Sequence, residues 1–150
     1  MASRRRRSRT PSAANYAQRD ARRLASLTFF LDRNLGRNII APRLRAAGAN
    51  VELHDDHFSQ QTPDSEWLSV VGERDWVMIS RDKNIRRNPL ERAAFEWARL
   101  RGFVLTGGGS IPDDAELLVR SLPGMLRRTA GRPGPLLFAI SRGGVFTRLL

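Results

Sequence analysis

Two short apolar runs that each lead to an aspartate constrain the fold of this chain more than any other feature. The run Trp76–Ile79 ends three residues before Asp82, and the run Leu27–Leu31 leads directly into Asp32. Continuous apolar runs of this length are typical of strands that are covered on both faces, as in a parallel sheet between helices. Carboxylates just beyond such strands lie where open α/β sheets bind ligands.

Segments with helical periodicity alternate with further short apolar runs along the rest of the chain. The predicted order is β-α-β-α-β-α-β-α-β-β, with strands at residues 27–31, 49–53, 76–79, 103–106, 136–141 and 145–149. This alternation predicts right-handed crossovers in a central, mostly parallel sheet with helices on both faces. The last two strands, joined across residues 142–144, are predicted to form a C-terminal β-hairpin. We therefore expect an α/β fold.

Capping and turn residues set the predicted helix boundaries. Asn38, Thr62 and Asn88 each precede an apolar periodic segment and are predicted to be N-cap residues. Gly102 is expected to end the helix that follows Asn88, because glycine favours helix termination. Pro123 is expected to interrupt the last helix, because it cannot donate a backbone hydrogen bond.

The net charge of +11 is unevenly distributed, with eight arginines and one aspartate among residues 1–25. Residues 1–14 contain no apolar residue able to pack and are predicted to be a disordered, arginine-rich arm. Residues 15–26 could form a polar helix, and residues 27–150 are predicted to form the folded domain. The arm could contact phosphates non-specifically, or it could be a solvated tail or the product of a wrongly assigned start codon.

Composition excludes several classes of protein. The chain contains no cysteine, which excludes disulfides and thiolate metal sites. No apolar run approaches the roughly 20 residues of a membrane span, and no signal peptide is recognisable, so we expect a cytoplasmic protein with no membrane partner. The residues 107–109 form a Gly-Gly-Gly sequence without the spacing or the lysine of a phosphate-binding loop. No plausible Ser-His-Asp or Cys-His nucleophile pair is present.

Acidic residues gather at one predicted edge of the sheet. Asp32 and Asp82 follow the first and third strands, and Asp64 and Glu66 lie in the first turn of the helix that leads into the third strand. Clustered carboxylates repel one another unless a cation neutralises them, and Mg²⁺ or Mn²⁺ needs only oxygen ligands. Each acid also has an ordinary interpretation, as a partner of the helix dipole, a turn residue or half of an ion pair.

Two other acidic groups receive different interpretations. The sequence His54–His57 (HDDH) has the composition of a metal site, but side chains on a strand-end loop diverge, so zinc is disfavoured. Glu91 lies three residues after Asn88, the spacing of a capping box, and is interpreted mainly as a capping carboxylate.

Three segments resemble a known family, the compact PIN-like domain of the VapC toxin type, which is the ribonuclease half of toxin–antitoxin pairs. They are FFLD (Phe29–Asp32), TPDSEWL (Thr62–Leu68) and WVMISRDKNIRRNPLE (Trp76–Glu91). The resemblance extends from Leu27 to about Gly108. It implies a single three-layer PIN-like domain, a divalent-metal-dependent endoribonuclease as the activity, and RNA and a cognate antitoxin protein as partners, with a homodimer as a further option.

The resemblance also implies a set of site residues. The catalytic metal ligands fall on Asp32, Asp64 and Asp82, with Glu66 as an additional ligand of Mg²⁺ or Mn²⁺. Larger toxins of this type carry a further glutamate in a helical insertion before the Asp64 helix, where this chain has only HDDHFSQQ. Glu66, Asp55 or Asp56 could substitute for it, or one metal could be weakly held. The implied reaction is metal-assisted hydrolysis of a phosphodiester bond.

Basic residues follow the third predicted strand closely. Arg81, Lys83, Arg86 and Arg87 could hold the RNA backbone, because phosphate contacts position a nucleic acid without reading its sequence. The alternative is a solvated basic loop. Trp76 and Trp97 are expected to belong to the core rather than to serve as platforms for stacked bases.

Other functional classes fit less well. A phosphoacceptor receiver domain needs paired acids after its first strand, whereas Asp32 is followed by Arg33. A phosphohydrolase of small esters is disfavoured by the open, basic edge. The strongest non-enzyme alternative is a catalytically weak or inactive RNA- or antitoxin-binding module. Metal-dependent cleavage of single-stranded RNA distinguishes these hypotheses.

Overall fold

The computed structural model describes residues 13–82 and 84–150 of the chain. Residues 1–12 of the predicted arm, Lys83 and the side chain of Arg86 lie outside the described residues. The helices are α1 (Ala13–Ser26), α2 (Ile40–Ala46), α3 (His54–His57), α4 (Asp64–Glu73), α5 (Asn84–Arg87), α6 (Pro89–Trp97) and α7 (Ile111–Thr129), with a 3-10 helix at Arg33–Leu35. The strands are β1 (Thr28–Leu31), β2 (Asn50–Leu53), β3 (Val77–Ser80), β4 (Arg101–Leu105), β5 (Leu136–Ile140) and β6 (Phe146–Arg148).

The six strands form one sheet in the order β2-β1-β3-β4-β5-β6. Strands β1 to β5 pair in parallel, and β6 pairs antiparallel to β5. The predicted α/β fold, with its mostly parallel sheet and C-terminal hairpin, is confirmed. The chain passes from β1 outward to β2 and from β3 outward to β4, so the strand order reverses between β1 and β3. A reversal of this kind opens a crevice at the carboxyl ends of the two strands.

The sheet separates two apolar clusters, one on each face. In β1, Phe29 and Leu31 belong to one cluster and Phe30 to the other, because successive side chains of a strand point to opposite faces. Helices α1, α2 and α7 contribute to the first cluster, whereas α4, α5 and α6 contribute to the second. Burial on both faces is the physical reason that the strands read as continuous apolar runs. None of the helices built from the described residues has the length and apolarity that a membrane crossing requires.

The end of α6 differs from the prediction. Trp97 was predicted to lie in the core, but its residue is 90% exposed, so this prediction is wrong. The helix ends at Trp97, and Arg99 adopts a positive φ of 53° that turns the chain into β4. Gly102 therefore lies inside a strand instead of ending the helix, with the ring of Phe95 only 3.2 Å from where a Cβ would stand. A left-handed residue that is not glycine gives no sequence signal for a helix end.

Two predicted N-caps are also wrong. The described residues show Ile39 preceding α2 without a capping side chain, so Asn38 is not the N-cap. Likewise Pro63 directly precedes α4, and the hydroxyl of Thr62 lies 3.2 Å from that of Ser59 instead of capping the helix. In each case the helix begins later than the capping residue predicts.

Helix α7 runs without interruption through Pro123, so the predicted break there is wrong. Proline removes one backbone hydrogen bond, but buried residues on both sides keep this long helix packed on the sheet. The neighbouring Gly124 has a packing role: an added Cβ would lie 2.6 Å from the ring of Phe146 in the hairpin.

Candidate functional site

The crevice between β1 and β3 holds the predicted acidic residues. Asp32 follows β1, Asp82 follows β3, and Asp64 opens α4. Together with Asp55 these three residues line one open cleft of about 470 Å³, whose remaining lining residues are Arg33, Asn34 and Gln60. The sheet edge therefore brings together the three aspartates that the sequence singled out.

Ser80, the last residue of β3, links the ends of the two central strands. Its side chain is fully buried. The hydroxyl donates a hydrogen bond to Oδ2 of Asp32 at 2.9 Å and accepts one from the backbone N–H of Asp82 at 2.9 Å. The side-chain amide of Asn34 also reaches this hydroxyl at 3.5 Å. Ser80 thus fixes two of the acids relative to each other.

Asp32 is held on its other side by the chain that follows it. Its Oδ1 accepts a hydrogen bond from the backbone N–H of Arg33 at 2.7 Å, which caps the 3-10 helix. Burial raises the pKa of Asp32, and the nearby charge of Asp82 acts in the same direction. The hydrogen bonds from Ser80 and Arg33 oppose this rise without cancelling it. The site therefore disfavours the charged form of this carboxyl unless a cation is close.

Each of the other two aspartates is oriented by a single donor. The indole Nε1–H of Trp67, one turn along α4, donates to Oδ1 of Asp64 at 2.9 Å. The backbone N–H of Asn84 donates to Oδ1 of Asp82 at 2.8 Å. In both carboxylates the hydrogen bond engages Oδ1, which fixes the direction of the group.

Glu91, which the sequence interpretation assigned to helix capping, lies beside the acidic cleft and is coupled to its aspartates by charge. Asn88 caps α6 as predicted, through a hydrogen bond from the backbone N–H of Leu90 to its side chain at 3.0 Å. Glu91 instead lies within the electrostatic reach of Asp82, Asp64 and Asp32. Burial, followed by the negative charges of Asp82 and Asp64, raises the pKa of Glu91 to about 7. The short distance in sequence between Asp82 and Glu91 could have indicated this position. Helix α5 is only four residues long, so α6 begins close to the end of β3.

Glu66 and the sequence His54–His57 lie apart from this set. Glu66 is exposed on α4, and in the described part of the chain it is not among the residues that line the cleft. It follows Asp64 by two positions, and such residues do not share a helix face.

The side chains of α3 diverge, as predicted, but residues 54–57 form a short helix and not the predicted strand-end loop. His54 is buried among the rings of Phe30, Phe58 and Trp67, with 2% of its surface exposed. Asp56 pairs with Arg37 at 2.5 Å, and Nε2 of His57 lies 2.7 Å from a carboxylate oxygen of Glu52, while Asp55 faces the cleft. Within residues 13–82 and 84–150, no three Asp, Glu or His side chains are already arranged to hold a metal ion.

Arg81, one of the predicted RNA contacts, is engaged in an ion cluster around a buried carboxylate. Its Nη1 lies 3.1 Å from Oδ2 of Asp114, whose side chain is fully buried in the first turn of α7. Its Nη2 donates to the carbonyl of Gly109 at 3.1 Å. Arg142, from the hairpin, binds the other oxygen of Asp114 and the carbonyl of Gly107. Arg87 is exposed, whereas Lys83 and the side chain of Arg86 fall outside what the structure describes.

Comparison with known proteins agrees with this architecture. A protein of Mycobacterium tuberculosis named "Putative ribonuclease VapC45" is 27% identical over 128 residues, which cover 82% of this chain and 93% of that protein. No solved structure matches the chain. The family model described as "PIN like domain" matches residues 27–107, more than half of the chain and the part that contains Asp32, Asp64, Asp82 and Glu91. The chain therefore belongs to the PIN-like domain family.

Proposed function

We propose that this chain is a divalent-metal-dependent endoribonuclease and the toxin of a type II toxin–antitoxin pair. The observation that carries the proposal is the gathering of four carboxyl groups at the crevice between β1 and β3. Asp32, Asp64 and Asp82 line the cleft, and Glu91 is coupled electrostatically to all three. The relationship to a protein named as a ribonuclease supports the same reaction.

The donor set fits a hard divalent cation. Asp32, Asp64, Asp82 and Glu91 offer only oxygen ligands, which Mg²⁺ and Mn²⁺ prefer. Burial first, and neighbouring negative charge second, raise the pKa values of Asp32 and Glu91, so a cation close to them would favour their charged forms. We propose these four side chains as the metal-holding group, with Glu66 outside it. A bound cation would supply Lewis acidity that lowers the pKa of water and stabilises charge on the leaving oxygen.

The surrounding residues orient the acids and control their protons. Ser80 and Trp67 hold Asp32 and Asp64 by hydrogen bonds of 2.9 Å each, so these carboxylates keep a fixed direction. Glu91, with a pKa of about 7, exchanges a proton near neutral pH beside Asp64. A bound cation would favour the charged form of Glu91, so metal binding would release its proton.

The charge of the chain favours a polyanionic substrate. The net charge is +11, and positive charge attracts nucleic acid over long distances. Arg87 is exposed and follows Asp82 by five positions in the sequence. We propose Arg87, together with Lys83 and Arg86 from the sequence, as phosphate contacts. Arg81 is better explained as a structural ion pair, since its guanidinium already binds Asp114 and the carbonyl of Gly109.

The decisive test is cleavage of single-stranded RNA with and without Mg²⁺ or Mn²⁺. We expect metal-dependent cleavage by the wild type that EDTA stops. Asp82→Asn should lower the rate by more than about a hundredfold, since even groups that merely orient metal ligands contribute about 10- to 100-fold. Glu66→Gln is the matched control, because it removes an acid from the same region without touching the cleft, and it should retain activity.

The result of the cleavage test also distinguishes the proposed ribonuclease from the alternative functions. Wild-type protein that cleaves no RNA in either metal would support a catalytically inactive RNA- or antitoxin-binding module. Cleavage of single-stranded DNA at the same rate would contradict RNA as the preferred substrate. Growth arrest on expression of the wild type, absent with Asp82→Asn, would support the toxin role, which requires an antitoxin to restrain it.

A further inference from the structure

A second pocket adjoins the acidic cleft on the far side of Asp32. It has a volume of about 280 Å³ and is called the side pocket here; its lining residues are Leu31, Asp32, Arg33, Gly36, Arg37, Asn38, Leu53, His54 and Asp55. Asp32, Arg33 and Asp55 line both the side pocket and the cleft. A molecule whose reacting group lies in the cleft could therefore place the neighbouring group in the side pocket.

We propose that the side pocket binds one nucleobase of the RNA strand, next to the phosphate that is cleaved. This inference rests on the proposed function and names what the site recognises beyond the phosphodiester bond. Pockets that bind drug-sized ligands have volumes of roughly 300 Å³ or more. The side pocket is slightly smaller than this limit, which suits a group the size of a single base.

The residues that line the side pocket offer both an apolar surface and polar groups, the two kinds of contact that a base makes. Leu31 and Leu53 are buried apolar residues at the ends of β1 and β2, and they provide a surface for the flat face of a base. Arg37, Asn38 and Asp55 are exposed at the rim and provide donors and acceptors for the polar edge. Specific recognition of a nucleotide combines these two kinds of contact.

Asn38 is the residue best suited to read the edge of a base. It was predicted to cap α2, but Ile39 takes that position, so its side chain has no role in starting the helix. Across the described ranges no hydrogen-bond partner is found for its amide, which lines the side pocket. An amide offers a donor and an acceptor side by side, and asparagine uses both to bind a base.

The two arginines of the side pocket are held from outside it. Arg37 forms an ion pair with Asp56 at 2.5 Å, and Nη1 of Arg33 donates to the carbonyl of Gln60 at 3.1 Å. Both contacts restrict the side chains, so less conformational entropy is lost when a ligand binds.

The charge balance of the side pocket favours a base over a phosphate. Two carboxylates, Asp32 and Asp55, line it together with two arginines, and Asp56 already neutralises one of these. No excess of positive charge remains to stabilise a phosphate dianion, whereas a neutral base meets no such penalty.

Binding of mononucleotides to metal-free protein tests the proposal without depending on cleavage. The four nucleoside 5′-monophosphates and ribose 5-phosphate would be titrated in EDTA and followed by NMR chemical shifts. We expect at least one nucleotide to bind about tenfold or more tightly than ribose 5-phosphate, because the base contributes the hydrogen bonds. Equal binding of ribose 5-phosphate would assign the side pocket to phosphate and overturn the proposal.

Substitutions then locate the bound nucleotide. Asn38→Ala and Arg37→Ala should each weaken binding by about five- to tenfold, which corresponds to the loss of one hydrogen bond. Arg43→Ala is the matched control for charge, since Arg43 is an exposed arginine on α2 that does not line the side pocket, and it should bind as the wild type does. All three positions are exposed, so the folds should be intact. Binding that neither Asn38→Ala nor Arg37→Ala alters would overturn the proposal.

Cleavage of an RNA library with randomised sequence provides the second readout. The wild type should prefer one base at a single position beside the cut, and Asn38→Ala should flatten that preference by about tenfold while Arg43→Ala retains it. If the wild type cleaves RNA with a base preference and Asn38→Ala leaves that preference unchanged, the result would contradict the proposed role of the side pocket. It would still support the proposed ribonuclease activity. Nucleotide binding that depends on Asn38 in a protein that cleaves no RNA would support the side pocket and contradict the proposed function.

Discussion

Burial and neighbouring negative charge raise the pKa values of two carboxyls of the cleft, Asp32 and Glu91. The charged form of each is therefore less favourable in the folded chain than in water. Residues that are placed for chemistry commonly oppose stability in this way, because the arrangement that binds a ligand leaves like charges close together.

Replacement of Asp32 by asparagine should separate stability from activity. We expect Asp32→Asn to fold, and to melt without metal at a temperature equal to or above that of the wild type, because the amide removes a desolvated charge. Cleavage should fall by more than about a hundredfold, as for a lost metal ligand. Thermal melting in EDTA and initial rates at equal concentrations of folded protein would measure both effects. A variant that keeps wild-type activity would exclude Asp32 from the site.

The pKa of Glu91 predicts how stability depends on pH in the absence of metal. The folded chain raises this pKa from 4.5 to about 7, so the folded state holds more protons than the unfolded state between those values. The stabilisation is complete below pH 4.5 and is lost as pH rises toward about 7. We expect the melting temperature in EDTA to fall over this interval in the wild type and to fall less in Glu91→Gln.

A matched acid provides the control for that experiment. Glu66→Gln removes an exposed carboxylate of the same region and should reproduce the pH dependence of the wild type. If Glu91→Gln also shows the wild-type slope, then Glu91 is not coupled to the cleft.

The sequence predicts the aspartates of the site better than the glutamate. Asp32 and Asp82 could be placed because the carboxyl ends of parallel strands meet at one edge of a sheet. Glu91 was missed because its spacing from Asn88 is also that of a capping box, so one pattern supports two different structures. Only the packing of α6 against the cleft decides between them, and that packing depends on residues far apart in the chain.

Among the elements, the loop between β4 and α7 is packed tightly against the C-terminal hairpin. A Cβ at Gly109 would lie 2.6 Å from the guanidinium of Arg142, which is bound to buried Asp114. We expect Gly109→Ala to displace Arg142 and destabilise the protein by about 1–3 kcal/mol, the usual cost of overpacking. Urea denaturation would measure this difference.

The neighbouring Gly108 supplies the comparison. An added Cβ there meets no atom within 4 Å, so Gly108→Ala should change stability by less than about 0.5 kcal/mol. Equal effects of the two substitutions would show that the loop responds to any loss of glycine rather than to the contact with Arg142.

Strands and helix interiors could be predicted from the sequence, whereas helix ends could not. Short segments rich in apolar residues identified all six strands to within about two residues, most clearly β1 and β3, whose burial on both faces leaves a distinctive pattern. The turn after α6 depends on Arg99 at φ 53°, a conformation that long-range packing imposes on an unfavourable residue. At Pro123 the error was the opposite one: a break was predicted where the helix continues. A helix that is packed along its length tolerates one missing hydrogen bond.

At the scale of the whole molecule, binding of a cation should stabilise the fold. A ligand that binds only the native state adds about 2.7 kcal/mol at 100 times its dissociation constant. We expect Mg²⁺ or Mn²⁺ to raise the melting temperature of the wild type, and Asp64→Asn or Glu91→Gln to reduce that rise. Differential scanning calorimetry at increasing metal concentration would record it, with Glu66→Gln again as the control. A wild type that millimolar metal does not stabilise would argue for the inactive module.

The ion cluster of Arg81, Asp114 and Arg142 has a consequence for the order in which the protein becomes functional during synthesis. Domains fold as the chain emerges, N-terminal parts first. The four carboxyls of the proposed site emerge by residue 91, but Asp114, the carboxylate that holds Arg81, and Arg142, the second cation bound to Asp114, come later. Until then Arg81, which precedes Asp82 in the sequence, lacks the carboxylate that holds its guanidinium. We expect a ribosome-bound chain to complete the proposed site only after α7 and the hairpin have joined the sheet, so that the proposed ribonuclease would become active only after its own synthesis ends.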